Sequence, residues 1–145
     1  MNLQLQDRVA LVTGASEGIG AGMVRVFATQ GVTVVATARR EDRLLALADE
    51  IAKSGGIRPY VIAADITDAG ALDSLLAQVQ QRFGTIDIVI NAVGGARPTA
   101  LNEGDAGWEE AFSLNFTPAR RVTHALLPGM QAQGWGRIIN ISGSM

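Results

Sequence analysis

A glycine-rich segment close to the start of the chain has the residue types and spacing of a phosphate-binding turn. The apolar residues 9–12 lead through Thr13 into glycines with the spacing G-x-x-x-G-x-G, at Gly14, Gly18 and Gly20. A helical apolar pattern begins directly after them. A helix amino terminus presents unpaired N–H groups and a partial positive charge, so it suits an anion such as pyrophosphate. Glycine permits the close approach that a Cβ would block.

The glycine spacing alone leaves several interpretations open. It is not that of a nucleotide-triphosphate loop, because no Lys-Ser or Lys-Thr pair follows the glycines. An ordinary turn stays open, and so does a methyltransferase turn, which residues 18–22 also fit. A methyltransferase would want a carboxylate at the end of the second strand for the ribose hydroxyls, and that place holds Ala38, Arg39 and Arg40.

The pair Arg39 and Arg40 bears on which coenzyme a dinucleotide site would take. A carboxylate at this place binds an unphosphorylated ribose, whereas a guanidinium pairs with a 2′-phosphate, so we expect NADP first and NAD second. The alternative is that both arginines only pair with Glu41 and Asp42 at a solvated helix start. Glu17 weakens the NADP interpretation, because it places a negative charge near the phosphate.

Polar residues also follow strands 3 and 4 of the predicted sheet. Asp65 can accept a hydrogen bond from an adenine amino group, or it can form the turn before a helix that Thr67 or Asp68 caps. Asn91 ends strand 4, where a buried amide ties neighbouring strands together, and Gly94 leaves room for a ribose.

Three more candidates lie late in the chain. Asn115 stands between two apolar residues of a predicted helix, where asparagine is a poor helix former, and Pro118 is expected to kink the backbone nearby. A polar side chain at that place could hold a water near the ligand crevice. Ser142 ends predicted strand 5 and Ser144 follows it, so that two hydroxyls lie at the mouth of the same crevice.

Strand and helix patterns alternate along the chain, which is typical of parallel βαβ units. Short apolar, mostly β-branched runs indicate strands that helices cover on both faces. Right-handed crossovers then give a Rossmann-type doubly wound sheet of order 3-2-1-4-5, with the ligand crevice between strands 1 and 4. The predicted strands are residues 8–13, 33–38, 58–63, 86–91 and 137–142. The predicted helices are residues 18–30, 41–54, 69–83 and one long helix within 106–133.

The composition limits the class of protein. The 145 residues fit one domain, 1–145, and the net charge of −2 without a basic cluster argues against nucleic acid as a partner. The absence of cysteine excludes disulfides and thiolate metal sites and fits the reducing cytoplasm. No apolar run approaches the ~20 residues of a membrane span, so we expect no membrane partner. We also expect no bound metal.

Taken together, these segments resemble the amino-terminal part of the short-chain dehydrogenase/reductase family, over essentially the whole chain. The matching segments are residues 13–20, 65–66, 86–94, 115 and 136–142. The resemblance implies a nicotinamide-dependent oxidoreductase that acts on a small alcohol or carbonyl compound, and a homodimer or homotetramer formed through the long helix. The cofactor-binding residues that it implies are Gly14, Ser16, Glu17, Gly18, Ile19, Gly20, Arg39, Arg40, Asp65, Ile66, Asn91, Ala92 and Gly94. The catalytic residues that it implies are Asn115, Ser142 and Ser144.

The chain departs from the family pattern in two of the motifs that it contains. Where the family has Asn-Asn-Ala-Gly, this chain has Ala92 and Val93 after the first asparagine, so one amide is missing. The place of the catalytic serine falls on Gly143, and we expect Ser142 or Ser144 to take that role.

The family's tyrosine acid and its lysine, four residues apart and downstream of the serine, have no counterpart in this sequence. Its tyrosine and lysine are Tyr60 and Lys53, both far upstream. A phenol of pKa near ~10 needs a cationic neighbour to act near neutrality. We therefore expect the cofactor-binding amino-terminal part of an NADP(H)-preferring oxidoreductase, truncated after strand 5 and inactive alone. The alternative is a catalytically silent dinucleotide-binding sensor or scaffold of the same fold.

Overall fold

The computed structural model describes residues 2–96, 100 and 102–143, and within them helices alternate with strands. The strands are β1 (Val9–Thr13), β2 (Thr33–Ala38), β3 (Tyr60–Ala63), β4 (Ile88–Asn91) and β5 (Arg137–Asn140). The helices are α1 (Gly18–Thr29), α2 (Glu41–Lys53), α3 (Ala69–Phe83), α4 (Asp105–Asn115) and α5 (Thr117–Gln133).

The strands form one parallel sheet in the order β3-β2-β1-β4-β5, which confirms the predicted topology. β1 lies in the centre, where its register pairs Thr13 with Thr37 of β2 and with Asn91 of β4. Asn91 pairs in turn with Asn140 of β5. Because all strands run the same way, their carboxyl ends share one edge of the sheet, and the segments that follow them meet there.

Helices cover both faces of the sheet, and alternate residues of β1 point to opposite sides. Ala10 and Val12 pack on the face of α1 and α2, while Leu11 packs on the face of α3 and α5. The buried helix residues on the first face include Val24, Phe27, Leu44, Leu47 and Ile51. Those on the second face include Leu72, Leu75, Val79, Val122 and Leu126. Burial on both sides explains why the strands are apolar without alternation.

The prediction of one long helix within residues 106–133 is wrong, because the structure has two helices that join at Phe116. The backbone of Phe116 has φ −122° and ψ −55°, outside the helical range, and α5 begins on the next residue. Pro118 lies in the first turn of α5, where its missing N–H costs no hydrogen bond. α4 buries none of its residues, and Trp108 is 60% exposed.

The predicted ends of three strands are also wrong by two residues. β3 begins at Tyr60 rather than at residue 58, because Pro59 has no N–H for the ladder. β4 begins at Ile88, and β5 ends at Asn140 instead of running to residue 142.

Candidate functional site

A cavity of about 660 Å³ opens at the carboxyl edge of the sheet, where the glycine turn, the ends of β2 and β3, and the segment after β4 converge. This is the place where ligands bind in open parallel sheets. Its described lining comprises Gly14, Ser16, Glu17, Gly18, Ile19, Gly20, Thr37, Ala38, Arg39, Arg40, Arg43, Ala64, Asp65, Ile66, Thr67, Ala92, Val93, Gly94, Glu110, Ser113, Leu114 and Ile141. The cavity therefore brings together the predicted cofactor-binding residues, with the exception of Asn91.

The glycine turn is packed so closely that two of its glycines have no space for a side chain. A Cβ on Gly14, whose φ is +65°, would lie 2.7 Å from the carbonyl oxygen of Ala92. A Cβ on Gly20 would lie 2.1 Å from the carbonyl oxygen of Gly14. The turn is further fixed by the amide of Ala15, which donates to the carbonyl of Thr37 at 3.1 Å. This packing holds the start of α1 against the end of β1.

The amino end of α1 faces the cavity without a cap. Glu17 occupies the N-cap position, and its side chain makes no capping hydrogen bond. Within the part of the chain that the structure describes, the amides of residues 18–20 donate to no protein acceptor, and the first bond runs from Ala21 N to Glu17 O at 3.2 Å. These amides can bind an anion because they are positioned and unoccupied by protein groups.

A buried hydroxyl without a partner lies beside the turn. Thr37 is fully buried at the end of β2, and its Oγ1 finds no hydrogen-bond partner among the described residues. The neighbouring Thr13 is satisfied, since its Oγ1 donates to Ile90 O at 3.4 Å and accepts from Ala92 N at 3.3 Å. An unpaired buried hydroxyl is costly unless a ligand or a water completes it, so the lining of this cavity is suited to a polar ligand.

Three arginines lie at the β2 end of the cavity, and their partners differ. Arg40 binds Asp42 through two hydrogen bonds of 3.2 and 2.8 Å, so part of the alternative interpretation of this pair is observed. Arg43 contacts Glu17 at 2.6 Å. Arg39 forms no ion pair with any residue in the described ranges. Arg39 therefore offers a guanidinium that is available to an anionic ligand.

Asp65 forms the turn that follows β3 and also faces the cavity. Its Oδ1 accepts hydrogen bonds from the hydroxyl of Thr67 at 2.6 Å and from the Thr67 amide at 3.0 Å. These two bonds lower the pKa of Asp65 below its ordinary value, and the positive charge of Arg39 lowers it further. Ile66 is buried beneath and supplies an apolar part of the lining.

Asn91 lies behind the cavity rather than in its lining. Its Nδ2 donates to Oδ1 of Asn140 at 2.8 Å and to Oγ1 of Thr123 at 3.5 Å, so the amide ties β4 to β5 and α5. Its own Oδ1 has no partner among the described residues. The carbonyl of Asn91 accepts from the amide of Ile141, which lines the cavity.

Of the three predicted catalytic residues, the structure describes Asn115 and Ser142, and neither belongs to the described lining of the cavity. Asn115 ends α4, where its Oδ1 accepts from Gly95 N at 2.8 Å and its Nδ2 donates to Gly95 O at 2.9 Å. The amide of Asn115 thus holds the segment after β4, and Gly94 has no room for a Cβ because that oxygen would lie 2.8 Å away. Ser142 is exposed beyond β5 and does not line the cavity. Ser144 lies outside the described residues.

The sequence interpretation missed Thr37, Arg43 and Ser113 in the lining. Thr37 and Arg43 had a usable signal, because a polar residue near a strand end and a basic residue in the first turn of the next helix both lie at the carboxyl edge. Ser113 had none, since its position depends on where α4 ends. Among the described residues, His, Asp and Glu side chains form no group that could hold a metal, and no helix is long and apolar enough to cross a bilayer.

Comparison with known families decides between the interpretations of the glycine turn. The family model described as short chain dehydrogenase matches residues 8–145. This chain belongs to the short-chain dehydrogenase/reductase family. The methyltransferase interpretation is therefore abandoned, and the packed glycine turn is that of a nicotinamide-dependent oxidoreductase family.

Individual relatives and solved structures agree with this assignment. An uncharacterized oxidoreductase of Staphylococcus saprophyticus is 38% identical over 141 residues, which are 97% of this chain and 60% of the relative. The structure of L-sorbose reductase from Gluconobacter frateurii, complexed with NADPH and L-sorbose, is 33% identical with a TM-score of 0.86 and covers 95% of this chain and 53% of its own. A 7α-hydroxysteroid dehydrogenase complexed with NADH and 7-oxo glycochenodeoxycholic acid is 31% identical with a TM-score of 0.89, over 98% of this chain and 55% of its own. The chain thus spans about half the length of these proteins.

Proposed function

We propose that this chain is the cofactor-binding part of an NADP(H)-preferring oxidoreductase that transfers hydride between nicotinamide and a small alcohol or carbonyl substrate. The observation that carries the proposal is the combination, in one cavity, of the uncapped amino end of α1 with the guanidinium of Arg39, which forms no ion pair among the described residues. The first suits a pyrophosphate and the second suits a phosphate on the adenosine ribose. Both groups are needed to bind a phosphorylated dinucleotide.

The residues around the glycine turn fit a dinucleotide along its whole length. The amides of residues 18–20 would hold the pyrophosphate, and the open space beside Gly18, where a Cβ would meet nothing within 4 Å, leaves room for it. Asp65 and Ile66 would flank the adenine at the end of β3. Ala92 and Gly94 would border the nicotinamide ribose, which Asn91 supports from behind.

The preference for NADP rests on this chain's own residues, because the solved relatives carry either coenzyme. The residue before Arg39 is Ala38, so no carboxylate competes for the ribose at the end of β2. Because Arg39 has no ion pair among the described residues, none of those pairs has to be broken when its guanidinium binds a phosphate. Arg40, which Asp42 already holds, would contribute less.

The catalytic assignments remain proposals that follow from the family. When bound, the nicotinamide supplies or accepts the hydride. We propose that Asn115 fixes the segment after β4 beside the reacting carbon, a role that its two hydrogen bonds to Gly95 support. One of Ser142 and Ser144 would bind the substrate oxygen, with a tyrosine and lysine pair outside these residues for the proton. We also propose a cytoplasmic homodimer or homotetramer.

The test is a comparison of NADPH and NADH binding by the full-length protein, with Arg39→Asp as the decisive variant. Loss of a charge-assisted bond and gain of a repulsive charge should weaken NADPH binding by about 30- to 100-fold, which corresponds to ~2–3 kcal/mol. NADH, which has no 2′-phosphate, should change by less than about threefold. Arg58→Asp is the matched control, because Arg58 is an exposed arginine outside the cavity.

Equal losses for both coenzymes in Arg39→Asp would show that this residue does not read the 2′-phosphate. Absence of binding of either coenzyme to the wild-type protein would remove the proposed function as a whole. Isothermal titration calorimetry gives both affinities directly, without a known substrate.

A further inference from the structure

An ion pair crosses the rim of the cavity at the end where a 2′-phosphate would bind. Nη1 of Arg43 lies 2.6 Å from Oε2 of Glu17. Glu17 belongs to the glycine turn and Arg43 to the first turn of α2, 26 residues further along the chain. Both side chains line the cavity, and both are largely exposed, with 74% of Glu17 and 46% of Arg43 accessible. The pair is therefore reachable from the ligand side.

The cations at this rim are held in different ways. Arg40 donates from Nε and Nη2 to the two carboxylate oxygens of Asp42, a neighbour in its own turn. Arg43 has one nitrogen on Glu17, and no other hydrogen bond of its side chain is found among the described residues. The charge of Glu17 also reaches Arg40, whose pKa is raised first by its hydrogen bond to Asp42 and more weakly by Glu17. Glu17 thus lies close to two of the three arginines.

We propose that Glu17 competes with the 2′-phosphate for Arg43. Glu17 binds Arg43 in the coenzyme-free protein, and Arg43 leaves Glu17 and binds the phosphate when NADP(H) binds. The inference rests on the proposed function and adds a residue that sets how strongly the site prefers a phosphorylated ribose. A phosphate dianion carries more charge than a carboxylate and matches the arginine fork, so it displaces Glu17 from Arg43. The displaced carboxylate then repels the phosphate.

Exchange of partner is feasible for Arg43 because the existing pair is weak. Exposed ion pairs between long side chains contribute a few-fold at most to an equilibrium, since water screens them and both chains lose freedom. Arg40 is a poorer candidate, because it would have to break two hydrogen bonds with a residue two positions away in sequence. Among the described residues, Arg39 therefore has no ion partner, and Arg43 has one that a phosphate can replace.

The experiment measures the ratio of NADPH to NADH affinity in the full-length protein by calorimetric titration. Glu17→Gln keeps the size of the side chain and removes its charge, and we expect the ratio to rise about three- to fivefold above wild type. Glu50→Gln is the matched control: it removes the same charge and breaks the exposed Arg25–Glu50 pair, which lies outside the cavity. It should leave the ratio within about twofold of wild type.

A second variant separates release of Arg43 from simple relief of repulsion. In the Arg43→Gln background, Glu17→Gln should raise the ratio of NADPH to NADH affinity much less than it does in the wild-type background. A gain of the same size in both backgrounds would show that Glu17 acts only by its charge and would overturn the exchange of partners.

The failure of this inference is distinguishable from failure of the proposed function. An unchanged or lowered ratio in Glu17→Gln, in a protein whose NADPH binding still depends on Arg39, would overturn the competitor role alone. A wild-type protein that binds both coenzymes equally, with no effect of Arg39→Asp, would overturn the function on which it rests. Glu17→Ala repeats the test should Glu17→Gln fold poorly.

Discussion

The helices α1 and α3 both begin at the carboxyl edge of the same sheet, yet their amino ends are finished in opposite ways. At α3 the carboxylate of Asp68 accepts the amide of Ala71 at 2.7 Å, and the preceding turn is closed by Asp65. At α1 the carboxylate of the N-cap residue Glu17 binds Arg43 instead, and the first amides have no partner within the described part of the chain. Side chains therefore cap the start of α3, which supports the fold, whereas no side chain caps the start of α1, which faces the cavity.

The absence of a side-chain cap at the start of α1 lowers the stability of the folded chain, and a bound ligand can reverse this effect. A side-chain cap contributes about 0.5–2 kcal/mol to a helix, and acidic residues in the first turn contribute further through the helix dipole. α1 has neither, since its first turn contains no acidic residue. A bound pyrophosphate would supply the missing acceptors and the missing negative charge at once. Coenzyme binding should therefore stabilise the folded chain as well as occupy the cavity.

The largest effect is expected from adding a side chain where the start of α1 packs closely against the turn after β1. Gly20→Ala would place a Cβ 2.1 Å from the backbone oxygen of Gly14, and neither backbone can give way without moving the turn. We expect both NADPH and NADH affinity to fall by more than about 100-fold, with a loss of ~1–3 kcal/mol in the free energy of unfolding from overpacking. Calorimetric titration and urea unfolding measure the two effects.

Gly22→Ala is the control for that variant, because it lies two residues further on in the same helix and its Cβ would meet nothing within 4 Å. It should stabilise the protein by up to about 1 kcal/mol, the difference in helix propensity between glycine and alanine. Normal coenzyme binding by Gly20→Ala would contradict the packing on which the open helix end depends.

A smaller effect, confined to stability, is expected at the closed end of α3. Asp68→Ala removes the acceptor of the Ala71 amide and should lower the free energy of unfolding by about 1 kcal/mol. Coenzyme affinity should stay within about twofold, because Asp68 does not line the cavity. Urea unfolding checks the first expectation and titration the second. Asp73→Ala, which breaks only the exposed pair with Arg121, should cost less than about 0.5 kcal/mol.

The difference between the two helix ends also marks what the sequence could predict. The glycine turn and the residues at strand ends are local signals, and parallel topology brings them to one edge, so the sheet order and Gly14, Arg39 and Asp65 could be placed in advance. The ion pair of Glu17 with Arg43 could not, because it joins segments 26 residues apart through side chains whose directions depend on packing.

The break at Phe116 was missed for a related reason. Proline is tolerated in a first turn and disruptive in a helix interior, so Pro118 fits either a kinked helix or a new one. The choice between them depends on tertiary contacts, and here Asn115 ends α4 by binding the backbone of Gly95 from another segment. Asn115 was recognised from the sequence as out of place in a helix, but its hydrogen bonds to Gly95 could not be predicted.

The smallest effect is expected at Asp65, which belongs to the closed turn before α3 and yet faces Arg39 of the open site. Thr67 and then Arg39 lower the pKa of Asp65 in the folded protein, so its charged form contributes stability above the unfolded value of about 3.8. That contribution is lost as the pH falls below this value through the lowered folded pKa. Asp65→Asn keeps an acceptor for Thr67 and removes the charge alone. Because the carboxylate is exposed, solvent screening limits the difference from wild type to a few tenths of a kcal/mol at pH 6.

Urea unfolding of wild type and Asp65→Asn at several pH values between 6 and about 2.5 would follow this contribution, and the two curves should converge at the acid end. Repeating the series in the Arg39→Gln background should reduce the gap at pH 6, that is, the loss in the free energy of unfolding caused by Asp65→Asn. Part of this loss comes from the charge of Arg39. A gap that grows as the pH falls has the wrong sign for a carboxylate of lowered pKa. It would mean that Asp65 is held in its protonated form, and the turn before α3 would then be electrostatically separate from the cavity.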